Sequence, residues 1–366
     1  MPKVTSLYSR KILDSRSKWT IETTLILDNS TGISSVPGGT SIGKFEAKSL
    51  IFNEALEKIE SIKDGIIGKT FNNQKEFDDF LIKLDGTSDK SNLGANTLLS
   101  LSISYARALS KLENIPLYKY ISKCIGFNAS YEMPKIMMLM FEGGKHGAKN
   151  INIQEFMVVV SSVDLGNDIY DLVKDTIIKK GCSVEVGLEG AFSPPELSDY
   201  DVLDILKGVS KYPIALDIAA SSSSKLVDSV RIINRYPVLS VEDPFGEEEW
   251  TKWKDFNRDF GGKVLIVGDD LIATNPKRID TAIKMGACSA VIIKPNQIGT
   301  VSETLEAIRV AREGALKIVV SHRSGETNDS FIADLAVGVG ANYVKFGAPS
   351  RGERVAKYNR LLEIFS

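Results

Sequence analysis

Six short apolar segments in the second half of the chain each end in a charged or ionisable residue. These residues are Asp217, Glu242, Asp269, Lys294, His322 and Lys345. Subtracting neighbouring residue numbers gives intervals of 25, 27, 25, 28 and 23, which fit one buried parallel strand, one helix and two loops. If such strands close into a barrel, all six side chains meet at one mouth, where barrels of this kind carry their active sites.

Three of these residues, Asp217, Glu242 and Asp269, end successive predicted strands. Their negative charges would repel one another unless a cation lies between them. Charged oxygen ligands suit Mg²⁺. The alternative interpretation is three helix N-caps, a position that Asp favours. That alternative is reasonable for one residue, but three carboxylates on adjacent strands favour a metal site.

Lys294 and Lys345 end two further predicted strands. Burial, a second lysine and a nearby metal all disfavour the charged form of a lysine, so we expect a lowered pKa for both side chains. A neutral amine can act as a general base. The alternative is a lysine that extends into solvent, which the apolar strands and the facing carboxylates disfavour.

The chain contains two histidines, His146 and His322. A structural role is the common alternative for a lone histidine, but glycine-rich and strand-end positions favour binding or catalysis. His322 is followed by Arg323 and Ser324, which offer a guanidinium and a hydroxyl to an anion such as phosphate. Together, a lysine base, a divalent metal and a carboxylic acid across the pocket suit the elimination of water from a hydroxy acid.

The bulk composition narrows the class of protein. At 366 residues the chain is long enough for two domains, and 43% hydrophobic with 25% charged residues is ordinary for a globular protein. A net charge of −2 gives no basis for nucleic acid or a membrane surface as a partner. The sequence shows neither a spanning apolar run nor a signal-peptide core, and its three scattered cysteines suggest reduced thiols. We therefore expect a cytoplasmic protein.

Residues 1–130 are predicted to form an α+β domain. Val4–Ser9 and Trp19–Leu27 have the β-branched and aromatic content of strands, with a turn at Asp28–Gly32. Residues 53–113 repeat apolar side chains at the helical period. Between them, Val36–Gly43 contains three glycines and a proline, which predicts an irregular, mobile loop.

Residues 131–366 are predicted to form the barrel. Six strand–helix units account for residues 213–366, whereas a closed barrel needs eight strands. Two upstream segments are candidates for the missing strands: Ile153–Val160, which contains Glu155, and Ser183–Glu189.

Several motifs resemble those of the enolases, and the resemblance covers essentially the whole chain. The four most specific stretches are Gly268–Leu271, Lys294–Gly299, Ser321–Thr327 and Gly347–Pro349. Further matching stretches are Ile12–Arg16, Val36–Gly43, Leu93–Asn96, Gln154–Met157 and Ser240–Phe245.

The resemblance implies an α/β fold: a TIM-type (β/α)8 barrel in the enolase arrangement, ββαα(βα)6, after an N-terminal α+β domain. It implies a lyase that dehydrates 2-phosphoglycerate to phosphoenolpyruvate in glycolysis and gluconeogenesis. Lys294 would be the base and Glu189 the acid, with Glu155 supporting it. Two Mg²⁺ ions per active site, a small phosphorylated substrate and a homodimer or higher homo-oligomer are also implied.

The resemblance further assigns individual residues. The first Mg²⁺ would be held by Asp217, Glu242 and Asp269, and Ser41 would help to hold the second together with the substrate phosphate. Lys345 would contact the substrate carboxylate. His322 would belong to the catalytic group. The remaining substrate-binding residues implied are Gln154, His146, Glu155, Arg323 and Ser324.

The chain departs from the enolase pattern at several positions. Leu188 replaces the acidic residue that usually precedes Glu189, and Glu142 stands where Asn is common. Phe346 replaces a small residue after Lys345, and its bulk is expected to narrow the pocket. These departures favour an alternative: an enolase-like paralogue that acts on another phosphorylated hydroxy acid or has a non-catalytic binding role.

Overall fold

The computed structural model describes residues 1–39, 43–126, 131–221 and 227–366. The N-terminal region opens with an antiparallel sheet of β1 (Val4–Leu13), β2 (Trp19–Leu27) and β3 (Ser30–Ser35), in that order. The two predicted strands are confirmed. The third begins inside the predicted turn, because Asp28 adopts a positive φ of 50° and reverses the chain sooner.

Four helices follow the sheet. Their bounds are α1 (Phe52–Ile66), α2 (Gln74–Asp85), α3 (Ala95–Leu112) and α4 (Leu117–Ile125). Helix α3 is buried at almost every position, as its alanine- and leucine-rich sequence predicts. Gly32 allows β3 to approach α3 closely, since a Cβ atom there would lie 1.9 Å from the Ser104 carbonyl oxygen.

The second region is a closed eight-stranded barrel. Its strands are β4 (Lys135–Glu142), β5 (Glu155–Val160), β6 (Ile214–Asp217), β7 (Val238–Glu242), β8 (Leu265–Gly268), β9 (Ala290–Ile293), β10 (Lys317–Ser321) and β11 (Tyr343–Lys345). Its helices are α5 (Val163–Lys179), α6 (Asp199–Val209), α7 (Ser229–Arg235), α8 (Trp250–Phe260), α9 (Pro276–Met285), α10 (Val301–Glu313), α11 (Phe331–Gly338) and α12 (Gly352–Phe365). Strand β5 runs antiparallel to both β4 and β6, so the predicted ββαα(βα)6 order is confirmed.

One predicted strand is wrong. Ser183–Glu189 is not a barrel strand; within it only Val186 forms an isolated bridge, to Phe192. Gly187 interrupts the run, and Val184 and Val186 are exposed, so this alternation faces solvent and not a barrel core. The missing strand is β4, a continuous apolar segment of the kind expected inside a barrel.

The barrel register brings carboxylates to one level. Glu142 pairs with Glu155, Glu155 with Asp217, and Asp217 with Glu242 across four neighbouring strands. Directly paired residues share a face of the sheet, so these side chains crowd the same mouth. Among the described ranges, no helix has the length and apolar character that a membrane span requires. The domain boundary near residue 130 stays a prediction, since Phe127–Ser130 lie outside the described residues.

Candidate active site

The predicted site residues meet in one polar pocket at the carboxyl ends of the parallel strands. The pocket has an empty volume of about 530 Å³, including its open mouth. The predicted residues that line it are His146, Gln154, Glu155, Glu189, Asp217, Asp269, Lys294, His322, Arg323, Ser324 and Lys345. Ser41 lies outside the described residues, so its predicted role is untested.

Lys294 and Asp269 form an ion pair on one side of the pocket. Lys294 Nζ contacts Asp269 Oδ2, and Gln297 Nε2 donates to Asp269 Oδ1 at 3.1 Å. Burial alone would lower the pKa of Lys294, but Asp269 raises it above the ordinary value. The lowered pKa predicted for Lys294 is therefore wrong in the ligand-free chain. Lys294 becomes a free base only when Asp269 is neutralised by another cation.

Lys345 lies among three carboxylates at the centre of the mouth. Its Nζ is 3.0 Å from Asp217 Oδ2 and 2.9 Å from oxygens of both Glu242 and Glu155. Burial opposes the charged form, but these carboxylates raise the pKa of Lys345 well above its usual value. The prediction of a lowered pKa is wrong here too, because one ammonium is surrounded by opposite charges.

Glu155 and Glu189 face each other on the opposite side. His146 Nδ1 lies 3.7 Å from Glu155 Oε1 and 3.6 Å from Glu189 Oε1. Burial raises the pKa of Glu155 to about 8, although Lys345 opposes the shift. The pKa of Glu189 is instead lowered well below its usual range, because His322 and His146 outweigh the effect of burial. Of these two carboxyl groups, Glu155 therefore favours its protonated form and Glu189 its ionised form.

The contacts of His322 define its tautomer. Arg354 Nη1 lies 2.8 Å from His322 Nδ1, and His322 Nε2 lies 3.0 Å from Glu189 Oε2. A guanidinium can only donate, so Nδ1 must accept and Nε2 must carry the proton that is donated to Glu189. Burial lowers the pKa of His322 to about 3, which agrees with a neutral ring. Arg354, fully buried on α12, was not identified in the sequence because it lies on a helix behind the mouth.

The predicted anion site at Arg323 is bound by a carboxylate of the chain itself. Arg323 Nη1 and Nη2 donate to Glu46 at 2.8 and 3.2 Å, and both side chains are buried. Glu46 follows the glycine-rich loop and has no strand-end signal, so the sequence interpretation missed it. A phosphate that binds Arg323 must share or replace this contact.

The acidic side chains of the mouth fit a divalent cation. Asp217 Oδ1 is buried without a hydrogen-bond partner in the part of the chain that the structure describes. Oxygens of Asp243, Asp269 and Asp270 also lie within 4.8 Å of one another. Burial and repulsion between these carboxylates raise the pKa of Asp270 to about 7. A hard cation would relieve this crowding. The cluster shares Asp269 with the predicted metal set, whereas Asp217 and Glu242 contact Lys345, so the predicted set stays a prediction.

Two family models match the sequence. The model described as the enolase N-terminal domain matches residues 4–121, and the model described as the enolase C-terminal TIM barrel domain matches residues 130–226 and 215–366. The chain belongs to the enolase family. Enolase-family membership agrees with the three-stranded sheet, the closed barrel and the acidic, lysine-containing mouth.

The departures from the enolase pattern have different structural consequences. Phe346 is fully buried and packs against Tyr358 of α12 with ring centroids 6.0 Å apart, and it is not among the residues that line the pocket. The prediction that Phe346 narrows the pocket is therefore wrong. Leu188 is half-buried beside Glu189, and Glu142 lies directly beneath the Glu189 turn. Of these three departures, those at residues 142 and 188 thus adjoin the acid side of the site, and Phe346 does not line the pocket.

Proposed function

We propose that this enolase-family chain dehydrates 2-phosphoglycerate to phosphoenolpyruvate. The observation that carries the proposal is the shared pocket: a buried lysine beside carboxylates on one side, and a carboxyl pair with a bridging histidine on the other. Removal of a proton from one carbon and loss of hydroxide from the next needs a base and an acid on opposite sides of the substrate.

In this proposal Lys294 removes the C2 proton once Asp269 no longer neutralises it. Bound Mg²⁺, two ions per site, would supply positive charge that stabilises the ionised carboxylate of the intermediate. Asp217, Glu242 and Asp269 would hold one ion; the second, assigned to Ser41, stays a prediction. Lys345 would then be released from the carboxylates to contact the substrate carboxylate.

Glu189 delivers a proton to the 3-hydroxyl, which leaves as water. The pKa of Glu189 is lowered and that of Glu155 is raised, so Glu155 is the group that favours holding a proton. His146 Nδ1 lies 3.7 Å from Glu155 and 3.6 Å from Glu189, so these contacts would have to shorten when substrate binds before His146 could pass that proton to Glu189. Arg323 and Ser324 would bind the phosphate after Glu46 yields part of its contact. Gln154, which donates to Asp217 at 3.4 Å, would orient the metal carboxylates.

The direct test is an ultraviolet assay for the enol product with purified chain, 2-phosphoglycerate and Mg²⁺, repeated with excess chelator. Metal-dependent turnover is the expected result. A matched thermal-shift measurement should show stabilisation by Mg²⁺ plus substrate over Mg²⁺ alone.

A folded, Mg²⁺-stabilised chain without turnover would refute the proposal. It would favour the alternative of a paralogue with another phosphorylated hydroxy acid or a non-catalytic binding role. Glycolytic function, a cytoplasmic location and a homodimer are further proposals that rest on the enolase resemblance.

A further inference from the structure

Glu142 is a buried carboxylate that the proposed reaction does not use. It ends β4 and has no solvent exposure. Its Oε1 accepts hydrogen bonds from the backbone N–H of Glu189 at 3.1 Å and of Ala191 at 2.9 Å, and its Oε2 lies 3.0 Å from the same Glu189 nitrogen. A carboxylate acceptor makes such bonds shorter and stronger than a neutral one. Glu142 is therefore bonded directly to the backbone of the proposed acid.

The backbone around Glu189 forms a tight turn that encloses this carboxylate. Gly187 N donates to Ala191 O at 3.0 Å, which closes the turn, and Leu188 N donates to His146 O at 3.0 Å. A Cβ atom on Gly187 would lie 2.4 Å from Glu142 Cδ, so glycine leaves room for the carboxyl group. The N–H groups of Glu189 and Ala191 both point at the Glu142 carboxyl group, while that of the intervening Gly190 donates to Gly187 O at 3.4 Å.

Glu142 differs from the other carboxylates at its level of the barrel. Glu155, Asp217 and Glu242 all contact the ammonium of Lys345, whereas the contacts to Glu142 come from the turn backbone. The ionisable groups that act on Glu142 are Glu189, Glu155 and Tyr170. Burial and the charge of Glu189 raise the pKa of Glu142 well above its usual value, while the two N–H groups oppose that rise.

Two departures from the enolase pattern meet at this turn. Residue 188, usually acidic in enolases, is leucine, and residue 142, commonly asparagine, is glutamate. The acidic side chain that is missing before Glu189 is thus matched by an extra one beneath it. Both substitutions alter the surroundings of one residue, the proposed proton donor.

We propose that Glu142 is the positioning residue of the acid step: it fixes the Gly187–Ala191 turn, and with it the Glu189 carboxyl group, from the underlying strand. This inference rests on the proposed function for its kinetic part. Its structural part, the order of the turn, can be measured without any substrate.

The test variant is Glu142→Gln, which keeps one acceptor oxygen but presents an amide N–H₂ to the donors of the turn. We expect kcat for dehydration to fall about 10-fold to 100-fold, the range typical for lost supporting contacts. KM should change less than about twofold, because Glu142 does not line the pocket.

The step affected can be isolated by exchange of the substrate C2 proton in D₂O. That exchange requires the base and not the acid, so E142Q should retain it while dehydration falls. The matched control is Glu185→Gln, an exposed residue of the same loop, which should keep wild-type values throughout. Amide hydrogen exchange at Glu189 and Ala191 should be slow in wild type and E185Q and faster in E142Q, because a neutral amide oxygen is a weaker acceptor than a carboxylate oxygen.

A lower melting temperature with unchanged kcat and unchanged amide protection would show a merely structural Glu142 and overturn the inference. Glu142→Asn, the residue common in the family, answers the same question if E142Q does not fold. If wild type lacks both C2 exchange and dehydration, the proposed function fails. Amide protection alone then tests the positioning role of Glu142. Unchanged protection in E142Q or E142N would then overturn the positioning role.

Discussion

The two sides of the barrel mouth support their charged residues in different ways. On the base side, Asp269 and Lys294 directly follow the parallel strands β8 and β9, and each side chain is held mainly by the other. On the acid side, Glu155 begins an antiparallel strand and Glu189 lies in a turn outside the barrel sheet. Regular units position the first pair, whereas the second needs local supports such as Glu142 and Arg354.

This difference in support leads to a difference in protonation. The base side is a buried ion pair, in which Lys294 and Asp269 each stabilise the charged form of the other. On the acid side the two carboxyl groups differ: burial raises the pKa of Glu155, whereas the pKa of Glu189 is lowered because His322 and His146 outweigh the effect of burial. The base side therefore holds two groups that favour their charged forms, and the acid side holds one carboxyl group that favours each form.

Replacement of Lys294 by alanine should have the largest effect. Turnover should fall about 10³-fold, since the general base is lost, and C2 proton exchange should fall with it. Both are measured with 2-phosphoglycerate and Mg²⁺ in the ultraviolet assay and by NMR. Circular dichroism should show an unchanged fold; retained turnover in folded K294A would contradict the assignment of the base.

Replacement of Glu189 by glutamine should separate the step of the acid side, loss of the hydroxyl group, from the step of the base side, removal of the C2 proton. Gln cannot donate an acidic proton, so dehydration should fall about 10²-fold or more, while C2 exchange in D₂O persists because Lys294 is intact. The ratio of exchange to product formation is the measurement. Equal loss of both activities would mean that the two sides do not act in separate steps.

The base side could be predicted from the sequence because its residues lie on strand–helix units that repeat along the chain. Each charged residue follows an apolar strand at a nearly constant interval, and the carboxyl ends of parallel strands meet at one edge. Asp217, Asp269, Lys294 and Lys345 line the pocket as this interval predicts, and Glu242 contacts Lys345 beside them. The lowered pKa predicted for Lys294 and Lys345 was wrong, because the contacts that raise it are long-range and leave no local pattern.

The acid side could be predicted only in part. Glu155 and Glu189 were identified, but Glu189 was assigned to a strand since Ser183–Glu189 alternates like one. Its surroundings come from distant segments: Glu142 lies 47 residues away and Arg354 contacts it only through His322. Such supports depend on tertiary packing, which a single sequence does not show.

Replacement of Phe346 by alanine tests whether this departure from the enolase pattern affects the substrate pocket or only the stability of the fold. Phe346→Ala should cost about 3 kcal/mol of unfolding free energy, typical for a buried phenylalanine, with KM unchanged because the ring packs on Tyr358 and not in the pocket. Urea unfolding and steady-state kinetics measure the two quantities. Leu362→Ala, exposed on the same helix as Tyr358, is the control and should cost about 0.5 kcal/mol or less. A lowered KM in F346A would instead show that the Phe346 side chain narrows the pocket.

The smallest effect expected is on the pH dependence of the unfolding free energy, measured in chelator-treated protein. We expect Glu155 on the acid side and Asp269 on the base side to contribute to it in opposite directions. Glu155 has a raised pKa, so its contribution to stability is present below the unfolded value of 4.5 and is lost as pH rises through about 8. Asp269 has a lowered pKa, because Lys294 outweighs burial, so its contribution is present above 3.8 and is lost as pH falls through the lowered value.

Glu155→Gln should therefore flatten the stability curve between about pH 4.5 and pH 8, and Asp269→Asn should flatten it below pH 3.8. Urea midpoints measured across these two pH windows in excess chelator report both slopes. If E155Q kept the wild-type slope between about pH 4.5 and pH 8, the proton would not reside on Glu155. The acid side would then start its reaction as fully ionised as Asp269, and the difference in protonation between the two sides would disappear.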